Sequence, residues 1–382
     1  MEDQKNSFPL GLTFDDLLLL PGYTDFSRSE IDLSVNITKK IKLSLPFISS
    51  PMDTVTESKL AIALGELGGL GIIHRNLSIG DQTAEVKKVK AKRLLVGAAV
   101  GTEKGFEERA RALQKANCDI IVIDSAHGFT KKVLEAVSYL KKNLKLQLIA
   151  GNISTKDGAK ALIKAGADGL RVGMGPGAIC TTRIISGMGV PQITAILETA
   201  KIGKTFRIPI IADGGIKYSG DVTKALAAGA SAVMMGSFFA SSEESPGKKI
   251  ILKKENVPSR FLSIFNHKHL TFPFKQYRGM GSMGAMKEGA KVKTEGEFHG
   301  KDYYKDRAMV AEGVEGLVPV KGSVKELTDQ LIGGLKSGMF YVGAKNIKEL
   351  WEKANFIQIS QASLTESHPH SILVTNTGKN YF

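Results

Sequence analysis

The sequence predicts a single (β/α)8 barrel of the α/β class, and three observations support this prediction. Eight short apolar runs recur along residues 46–236, with stretches of helical character between them. The runs are continuously apolar rather than alternating, which is typical of parallel strands buried on both faces. Glycine-rich or polar segments follow six of the runs, where a barrel carries its functional residues. A doubly wound open sheet is the alternative fold.

The predicted strands and helices follow one another in a regular order. The strands are predicted at 46–50, 69–74, 94–100, 118–124, 145–151, 168–173, 208–213 and 231–236. The helices are predicted at 56–67, 105–117, 130–143, 155–166 and 219–229 and, much later, at 323–335. The glycines of AGAD at 165–168 and AGAS at 228–231 end two of these helices before the next strand begins.

The regular order stops after the eighth strand, where a long polar excursion begins. A connection of this length in a compact domain is usually a lid or a disordered segment. We therefore expect a lid at about 241–318. Its residues 272–286 are expected to be ordered and to face a ligand, and its charged residues 287–307 to be mobile. The whole chain, 1–382, is expected to be one catalytic domain.

Composition favours a soluble, folded protein with anionic partners. Hydrophobic residues make up 42% of the chain, and the formal net charge is +14. This charge suits a nucleotide or nucleic acid, although clustered lysines such as those at 87–92 also form solvated helix faces. We expect no nucleic-acid partner, but charge alone does not exclude one. Only two cysteines occur, no apolar run could span a membrane, and no signal peptide is evident. These features predict a cytoplasmic location.

The segment RVGMGPGAICTTR at 171–183 presents Cys180 in a glycine-rich loop after an apolar strand. Its glycines and proline exclude the interior of a helix or strand and let the backbone approach a ligand or ion closely. A cysteine in such a loop is expected to be a nucleophile. The alternative is an ordinary buried thiol, which we expect for Cys118 at the start of an apolar strand.

Further motifs lie along nearly the whole chain. They are FDDLLLLPG (14–22), SSPMDTVTE (49–57), GIIHRN (71–76), VIDSAHG (122–128), AGN (150–152), IADGGI (211–216), VMMGS (233–237), YRGMGS (277–282) and EGVEG (312–316). Together with the cysteine loop, they resemble inosine monophosphate dehydrogenases and the related guanosine monophosphate reductases. The resemblance implies a TIM barrel that binds a purine nucleotide across its mouth, with Cys180 attacking purine C2.

The resemblance implies a substrate site for inosine monophosphate (IMP). Its phosphate is expected to meet backbone N–H groups and hydroxyls at Gly214, Gly215, Gly236, Ser237 and Tyr277. Asp213 is expected to accept hydrogen bonds from the ribose, although a helix N-cap is the alternative for this residue. The purine is expected to lie among Ser50, Met52, Asn152, Gly279, Met280, Gly281 and Glu312.

The resemblance also implies a dinucleotide, a cation and an oligomer. The nicotinamide end of NAD is expected at Asp124, Ser125 and Gly173. A potassium ion is expected on the backbone carbonyls of Gly175, Gly177 and Cys180, and a neighbouring subunit of a homotetramer would complete its site with Glu366, Ser367 and His368. The alternative for that last segment, within the C-terminal residues 360–382, is a plain polar tail.

The implied reaction has two steps. Cys180 adds to purine C2 while hydride leaves to NAD, and water then hydrolyses the thioimidate to xanthosine monophosphate (XMP). A lid must admit the dinucleotide and later exclude it so that water can react. The family activates this water with an arginine–tyrosine pair on the lid, helped by a threonine and a glutamate that match Thr182 and Glu312.

Three departures from the family pattern bear on activity. Ala178 stands where bacterial members usually have a serine that contacts phosphate, so a weaker nucleotide affinity is expected. The lid reads HGKDYYKDR at 299–307, without the arginine–tyrosine dipeptide. The regulatory module of two cystathionine-synthase-like repeats is absent between residues 75 and 93, so control by nucleotides through it is not expected.

We therefore expect an NAD-dependent IMP dehydrogenase of guanine nucleotide biosynthesis. A GMP reductase is the alternative, because it shares the barrel and the cysteine but releases ammonia from GMP using NADPH. The GMGS at 279–282 and the ESHPH at 366–370 favour the dehydrogenase, whereas the missing arginine favours the reductase. A catalytically impaired paralogue that binds nucleotide or nucleic acid is a further alternative, suggested by the net charge, Ala178 and the altered lid.

Overall fold

The structure is a computed structural model, and it describes residues 8–262, 270–292, 310–372 and 374. The chain opens with three short strands, β1 (Leu17–Leu19), β2 (Val35–Asn36) and β3 (Lys42–Leu43). β2 and β3 pair antiparallel. The carbonyl of Ile37, in the turn between them, lies beside Gly169 at the start of a later strand. This hairpin therefore covers the amino-terminal end of the domain's central sheet.

Eight parallel strands close into a barrel. They are β4 (Phe47–Ser49), β5 (Leu70–Ile73), β6 (Gly97–Val100), β7 (Ile120–Asp124), β8 (Gln147–Ile153), β9 (Gly169–Val172), β10 (Ile210–Asp213) and β11 (Ala232–Met235). Each strand pairs with the next in chain order, and β11 pairs with β4 to complete the circle. The eight predicted strands and the barrel are confirmed, and the open sheet is excluded.

Helices follow the barrel strands. They are α1 (Ser58–Glu66), α2 (Ile79–Ala91), α3 (Phe106–Lys115), α4 (Lys131–Asn143), α5 (Lys156–Ala165), the short α6 (Thr182–Ser186), α7 (Gln192–Phe206), α8 (Ser219–Ala227) and the short α9 (Ser237–Ala240). The five helices predicted before residue 230 are confirmed to within two residues at each end. Thr130 and Thr155 cap the starts of α4 and α5, and Gly166 ends α5 in the left-handed conformation.

An insertion separates the eighth strand from the helix that completes the barrel. It contains β12 (Lys249–Lys253), α10 (Ser259–Leu262), β13 (Thr271–Arg278), α11 (Met283–Val292) and β14 (Glu315–Pro319). The three strands form an antiparallel sheet in the order β12-β13-β14.

The sheet corrects the expectation that the excursion is a loop, because much of its described part is regular structure. Buried Phe272 and Phe274 alternate with more exposed neighbours along β13 and pack with Val257, so the insertion has a small core of its own. Residues 293–309, which hold most of the segment expected to be mobile, lie outside the described residues.

The barrel resumes at α12 (Val324–Val342), which packs against α8 and α1. The predicted helix at 323–335 is confirmed but continues to a left-handed Gly343. α13 (Ile347–Lys353), β15 (Phe356–Gln358) and α14 (Gln361–Glu366) follow. β15 pairs antiparallel with β1, which ties the C-terminal segment to the start of the chain.

Barrel strands β4, β5, β6, β9 and β11 are buried at every position. This burial on both faces explains why their sequences are apolar at nearly every position, with Arg171 of β9 and Ser49 of β4 as exceptions. Two hydrophobic clusters result, and Phe47 and Leu170 represent one each. No helix among the described residues has the length and apolar character needed to cross a bilayer.

The close approach of α1 to β5 gives a stability prediction. A Cβ added to Gly71 would lie 2.4 Å from the Cβ of Ala61 and 2.5 Å from its Cα. Gly71→Ala should therefore lower the free energy of unfolding by about 1–3 kcal/mol, through overpacking of a rigid contact. Urea unfolding followed by circular dichroism would measure this change.

Gly333→Ala in α12 is the matched control, because the exposed Gly333 has no heavy atom within 4 Å of its added Cβ. It should stabilise the protein by about 0.5–1 kcal/mol, since alanine is the better helix former. An equal effect of the two substitutions would contradict the packing argument.

Candidate active site

A buried arginine joins two carboxylates at the carboxyl end of the barrel. Asp124 ends β7 and Asp213 ends β10, while Arg171 lies between them on β9. Arg171 donates from Nη1 to Asp124 Oδ1 at 2.5 Å and from Nε to Asp213 Oδ2 at 2.9 Å. The structure thus brings together the residues predicted at the dinucleotide ribose and at the nucleotide ribose.

Arg171 sets the charge state of this end of the barrel. Burial on its own would raise the pKa of Asp124, but the charges of Arg171 and Arg75 outweigh burial and hold that pKa below its ordinary value. Asp124 is therefore an ionised acceptor at neutral pH. No motif of the sequence predicts this role for Arg171, although an arginine inside the apolar run GLRV is a usable signal.

Asn152 extends the same network. Its Nδ2 donates to Asp213 Oδ2 at 2.8 Å and to the carbonyl of Gly173 at 2.9 Å. The N-cap alternative for Asp213 is wrong, because the following helix begins at Ser219 and its N-cap position is Tyr218. Asp213 instead remains at the mouth of the barrel with an acceptor group positioned by two side chains.

The cysteine loop places Cys180 in a partly exposed position. Gly173 and Gly175 adopt φ angles of +150° and +82°, a conformation that favours glycine. The Cys180 Sγ lies 3.3 Å from Thr182 Oγ1, and that hydroxyl donates to Glu312 Oε2 at 2.8 Å. A thiol, a hydroxyl and a carboxylate therefore form a continuous hydrogen-bonded chain.

Backbone hydrogen bonds join the cysteine loop to the insertion. Thr181 N donates to the carbonyl of Glu312 at 3.1 Å, and Val314 N donates to the carbonyl of Ile179 at 2.9 Å. From the same segment of the insertion, Glu312 N donates to the carbonyl of Gly281 at 3.1 Å. Three segments far apart in the sequence thus lie side by side around the nucleophile, and the predicted residues Gly279, Met280 and Gly281 belong to one of them.

The predicted phosphate residues also lie together. Gly214 and Gly215 have φ angles of +89° and +83°, and an added Cβ on either would lie within 3.4 Å of Pro176 in the cysteine loop. Ser237 hydrogen bonds with the buried Tyr277, and burial raises the pKa of that phenol far above its ordinary value. Tyr277 therefore stays a neutral hydroxyl that is able to donate to an anion.

Gly236 and Met52 lie next to Tyr277, and Ser50 lies beside the end of β11. A Cβ added to Gly236 would lie 2.7 Å from Tyr277 Oη and 3.1 Å from Met52 Sδ. Ser50 N donates to the carbonyl of Met235, so this residue follows β4 directly into the mouth. Glycine at 236 keeps room between these side chains.

Two clefts involve the predicted site residues. The larger, of about 320 Å³, is lined by residues that include Pro176 and Ala178 of the cysteine loop together with Gly215, Tyr218 and Ser237. The smaller, of about 130 Å³, is lined by residues that include Arg75, Gly101, Phe106, Met280 and Met286. Arg75 also donates to Asp124 Oδ2 at 3.4 Å, so the smaller cleft adjoins the carboxylate predicted to hold NAD.

The residues predicted for a cation shared between two subunits lie, within one chain, in the cysteine loop and in the segment that ends α14. The carbonyl of Gly177 accepts a hydrogen bond from Cys180 N at 3.0 Å, within the same loop as Gly175. Glu366 ends α14, and the ring of His368 lies 6.3 Å from the ring of Tyr218 within the same chain. The Ser367 hydroxyl donates back to the carbonyl of Ser363. The loop carbonyls and the Glu366 carboxylate are oxygen donors of the kind that a cation site uses.

Ser125, predicted at the nicotinamide end of NAD, lies within the described residues, whereas the predicted lid segment 299–307 does not. Ser125 Oγ donates to the carbonyl of His127 at 3.1 Å, just beyond Asp124. The segment 299–307, which lacks the arginine–tyrosine pair, lies outside the described residues. Within the described residues, no group of three or more His, Cys, Asp or Glu side chains could hold a metal ion.

The two cysteines should differ sharply in reactivity. Cys118 is buried, and burial raises the pKa of its thiol to about 12, whereas Cys180 is partly exposed. Iodoacetamide at pH 8 should alkylate Cys180 and leave Cys118 unmodified, because the thiolate is the reactive form. Peptide mass spectrometry of the native protein would read this out, with urea-unfolded protein as the control. Preferential labelling of Cys118 would contradict the assignment.

Removing the central cation should destabilise the barrel in a pH-dependent way. Arg171→Met should lower the free energy of unfolding by about 3–5 kcal/mol at pH 7, because it leaves buried carboxylates without a partner. In the native protein the depressed pKa of Asp124 adds stability above its ordinary value of about 3.9, and this stability is lost as the pH falls through the native pKa.

The difference between the two proteins should therefore shrink as the pH is lowered toward about 4, where protonation relieves the unpaired charge in the variant. Urea unfolding at a series of pH values would measure it. Arg171→Lys keeps the charge and should lose less stability at pH 7. A loss that is independent of pH would contradict the electrostatic explanation.

Comparison with known proteins supports a family assignment. A family model described as "IMP dehydrogenase / GMP reductase domain" matches residues 11–370. A protein of Cryptosporidium parvum named inosine-5'-monophosphate dehydrogenase is 41% identical over 97% of this chain and 98% of its own length. Proteins with the same name from Borreliella burgdorferi and Bacillus subtilis are 42% and 36% identical, over 94% and 97% of this chain and 97% and 98% of their own lengths.

The lengths of these alignments differ. The alignment with the Bacillus subtilis protein spans 500 positions against the 382 residues of this chain, whereas those with the Cryptosporidium parvum and Borreliella burgdorferi proteins span 414 and 412. A chain of 382 residues fits the predicted absence of the regulatory module. The match over nearly the whole chain, together with the closed barrel and the cysteine loop at its mouth, shows that this chain belongs to the IMP dehydrogenase / GMP reductase family.

Proposed function

We propose that the protein oxidises IMP to XMP with NAD, through a covalent intermediate on Cys180. The observation that carries this proposal is the partly exposed thiol in hydrogen-bonding distance of Thr182, whose hydroxyl donates to Glu312. A nucleophile linked to a base in this way is the arrangement that covalent catalysis requires. The reaction is proposed from the names of the relatives, and the role of each residue is proposed from its position in the site.

The larger cleft suits the nucleotide. Its phosphate would face the Gly214–Gly215 backbone, Ser237 and the neutral Tyr277 hydroxyl. Its ribose would reach Asp213, which Asn152 and Arg171 hold in place. The purine would then extend toward Cys180, between the residues after β4 and the backbone of 279–281. These groups would complement a ligand that has an anionic end and a flat, polar ring system.

The proposed reaction has two steps, and the atoms and electrons of each step balance. The Cys180 thiolate forms a carbon–sulfur bond to C2 of IMP, and the C2 hydrogen then leaves as hydride. Water next adds to C2 of the thioimidate and the sulfur leaves, which gives XMP and restores the thiol. Overall, IMP, NAD⁺ and water become XMP, NADH and a proton. Thr182 and Glu312 form a path that takes a proton from the thiol or from the attacking water.

The smaller cleft and Asp124 suit the dinucleotide. When bound, NAD supplies the hydride acceptor. Asp124 has acceptor capacity beyond its contacts with Arg171 and Arg75, because a carboxylate accepts about four hydrogen bonds. Ser125 lies next in the chain, and Gly173 approaches so closely that an added Cβ would lie 2.3 Å from the carbonyl of Asp213. These residues fit a ribose diol beside the reacting carbon.

Potassium and a homotetramer belong to the same proposal. The carbonyls of Gly175, Gly177 and Cys180 are hard oxygen donors of the kind that such an ion prefers. Glu366, Ser367 and His368 offer further oxygens at the end of a short helix. The two cysteines, neither in a disulfide, support a reducing, cytoplasmic location.

GMP reductase remains the competing function, because it uses the same thiol and barrel. The GMGS sequence at 279–282 supports the dehydrogenase, and the absence of an arginine–tyrosine pair at 299–307 supports the reductase. A protein that binds nucleotide or nucleic acid without turnover is the other competitor, supported by the net charge of +14.

A single assay separates these functions. Purified protein with IMP, NAD and potassium chloride should generate NADH absorbance, and Cys180→Ala should abolish it, because no other group can carry the purine. The wild-type protein with GMP and NADPH should show no loss of NADPH. NADPH oxidation without NADH formation would instead identify a reductase. Salt-sensitive binding of nucleic acid without either turnover would identify a binding protein.

A further inference from the structure

A lysine outside the motifs lies at the larger cleft. Lys321 follows β14, and its backbone is fixed against the loop after β11, because its N–H donates to the carbonyl of Ser241 at 2.9 Å. The next residue, Gly322, accepts a hydrogen bond from Glu243 N at 3.0 Å. These bonds hold the residues just before α12 beside the residues that follow β11 and α9.

Lys321 lines the same cleft as residues assigned to phosphate. The same cavity of about 320 Å³ is lined by Ala178, Gly215 and Ser237. Among the described residues that line it, two are cationic, Lys217 and Lys321, and none is acidic. Lys217 is exposed to solvent, whereas Lys321 is half-buried. Lys321 is therefore the better-placed cation for a ligand inside the cleft.

We propose that Lys321 binds the 5'-phosphate of the nucleotide and compensates for the hydroxyl that is missing at Ala178. The proposal rests on the proposed function, since it takes a nucleoside monophosphate as the ligand of this cleft. A lysine ammonium is a strong donor to phosphate, and an alanine contributes no side-chain donor at all. In this chain, a charged contact from Lys321 would replace the neutral hydroxyl contact that is missing at position 178.

The environment of Lys321 agrees with this role. Burial lowers the pKa of its ammonium to about 8, so a dianionic phosphate in the same cleft would favour the protonated form. A charge-assisted hydrogen bond in a partly buried site is also stronger than one in water. Because the contact is made to the phosphate, away from the reacting carbon, it should affect binding of the nucleotide more than the chemical steps.

The test compares IMP with inosine, which lacks the phosphate. Isothermal titration calorimetry would give Kd values for both with the wild-type protein, Lys321→Gln and Lys321→Arg. Lys321→Gln should weaken IMP binding about tenfold or more and leave inosine binding unchanged, whereas Lys321→Arg should largely restore IMP binding. Lys325→Gln is the matched control and should have no effect, because the exposed Lys325 pairs with Asp329 within α12.

Ala178→Ser provides an independent check of compensation. In the Lys321→Gln background it should recover part of the lost IMP affinity, because it restores a hydroxyl to the cleft, and the two substitutions should not be additive. A Kd for IMP within twofold of wild type in Lys321→Gln would overturn the proposal. Equal weakening of IMP and inosine would also overturn it, since that result indicates a structural role.

Turnover is measured separately, so the two proposals can fail independently. Wild-type protein that binds IMP more tightly than inosine but forms no NADH would refute the dehydrogenase and leave the Lys321 comparison intact. Wild-type protein that binds IMP no more tightly than inosine would refute the role of Lys321. In an active enzyme, Lys321→Gln should raise the KM for IMP about tenfold with little change in kcat or in the KM for NAD.

Discussion

The buried ion triad of Arg171 with Asp124 and Asp213 is the constraint on which the site depends. Its two carboxylates end strands on opposite sides of β9, so their separation is set by one guanidinium rather than by flexible loops. In the proposed reaction, one carboxylate would meet the dinucleotide and the other the nucleotide. The distance between the hydride donor and its acceptor would then be fixed by the barrel itself, which is how an enzyme lowers the entropic cost of bringing two substrates together.

In contrast to this rigid ion triad, the Cys180 thiol lies on irregular backbone. The glycine-rich loop gives Cys180 its exposure, and the insertion between β11 and α12 supplies Glu312 and the backbone next to the thiol. In the proposed reaction, rigid strands would therefore position the substrates, while the insertion would supply part of the catalytic chemistry. This division agrees with the variety of reactions that TIM barrels support through their loops.

The sequence predicts the barrel well because its strands are buried on both faces and so remain continuously apolar. It predicts the insertion poorly, because the alternation along β13 is short and lies within a long polar segment. The role of Arg171 could not be predicted from local patterns, since its partners lie 47 and 42 residues away in the chain. Lys321 was missed for the same reason, as only the fold brings it to the cleft beside Ala178. The motifs did predict that the residues after several barrel strands, such as Asp124, Asn152 and Asp213, lie together at the mouth.

The hydrogen bonds that bind 279–281, 312–314 and the cysteine loop into one layer also have a mechanical consequence. The described residues on either side of the stretch from Ser282 to Ala311 are held together in this layer, because Glu312 N donates to the carbonyl of Gly281. Substitutions or insertions between these two points can therefore accumulate over evolutionary time without moving the thiol.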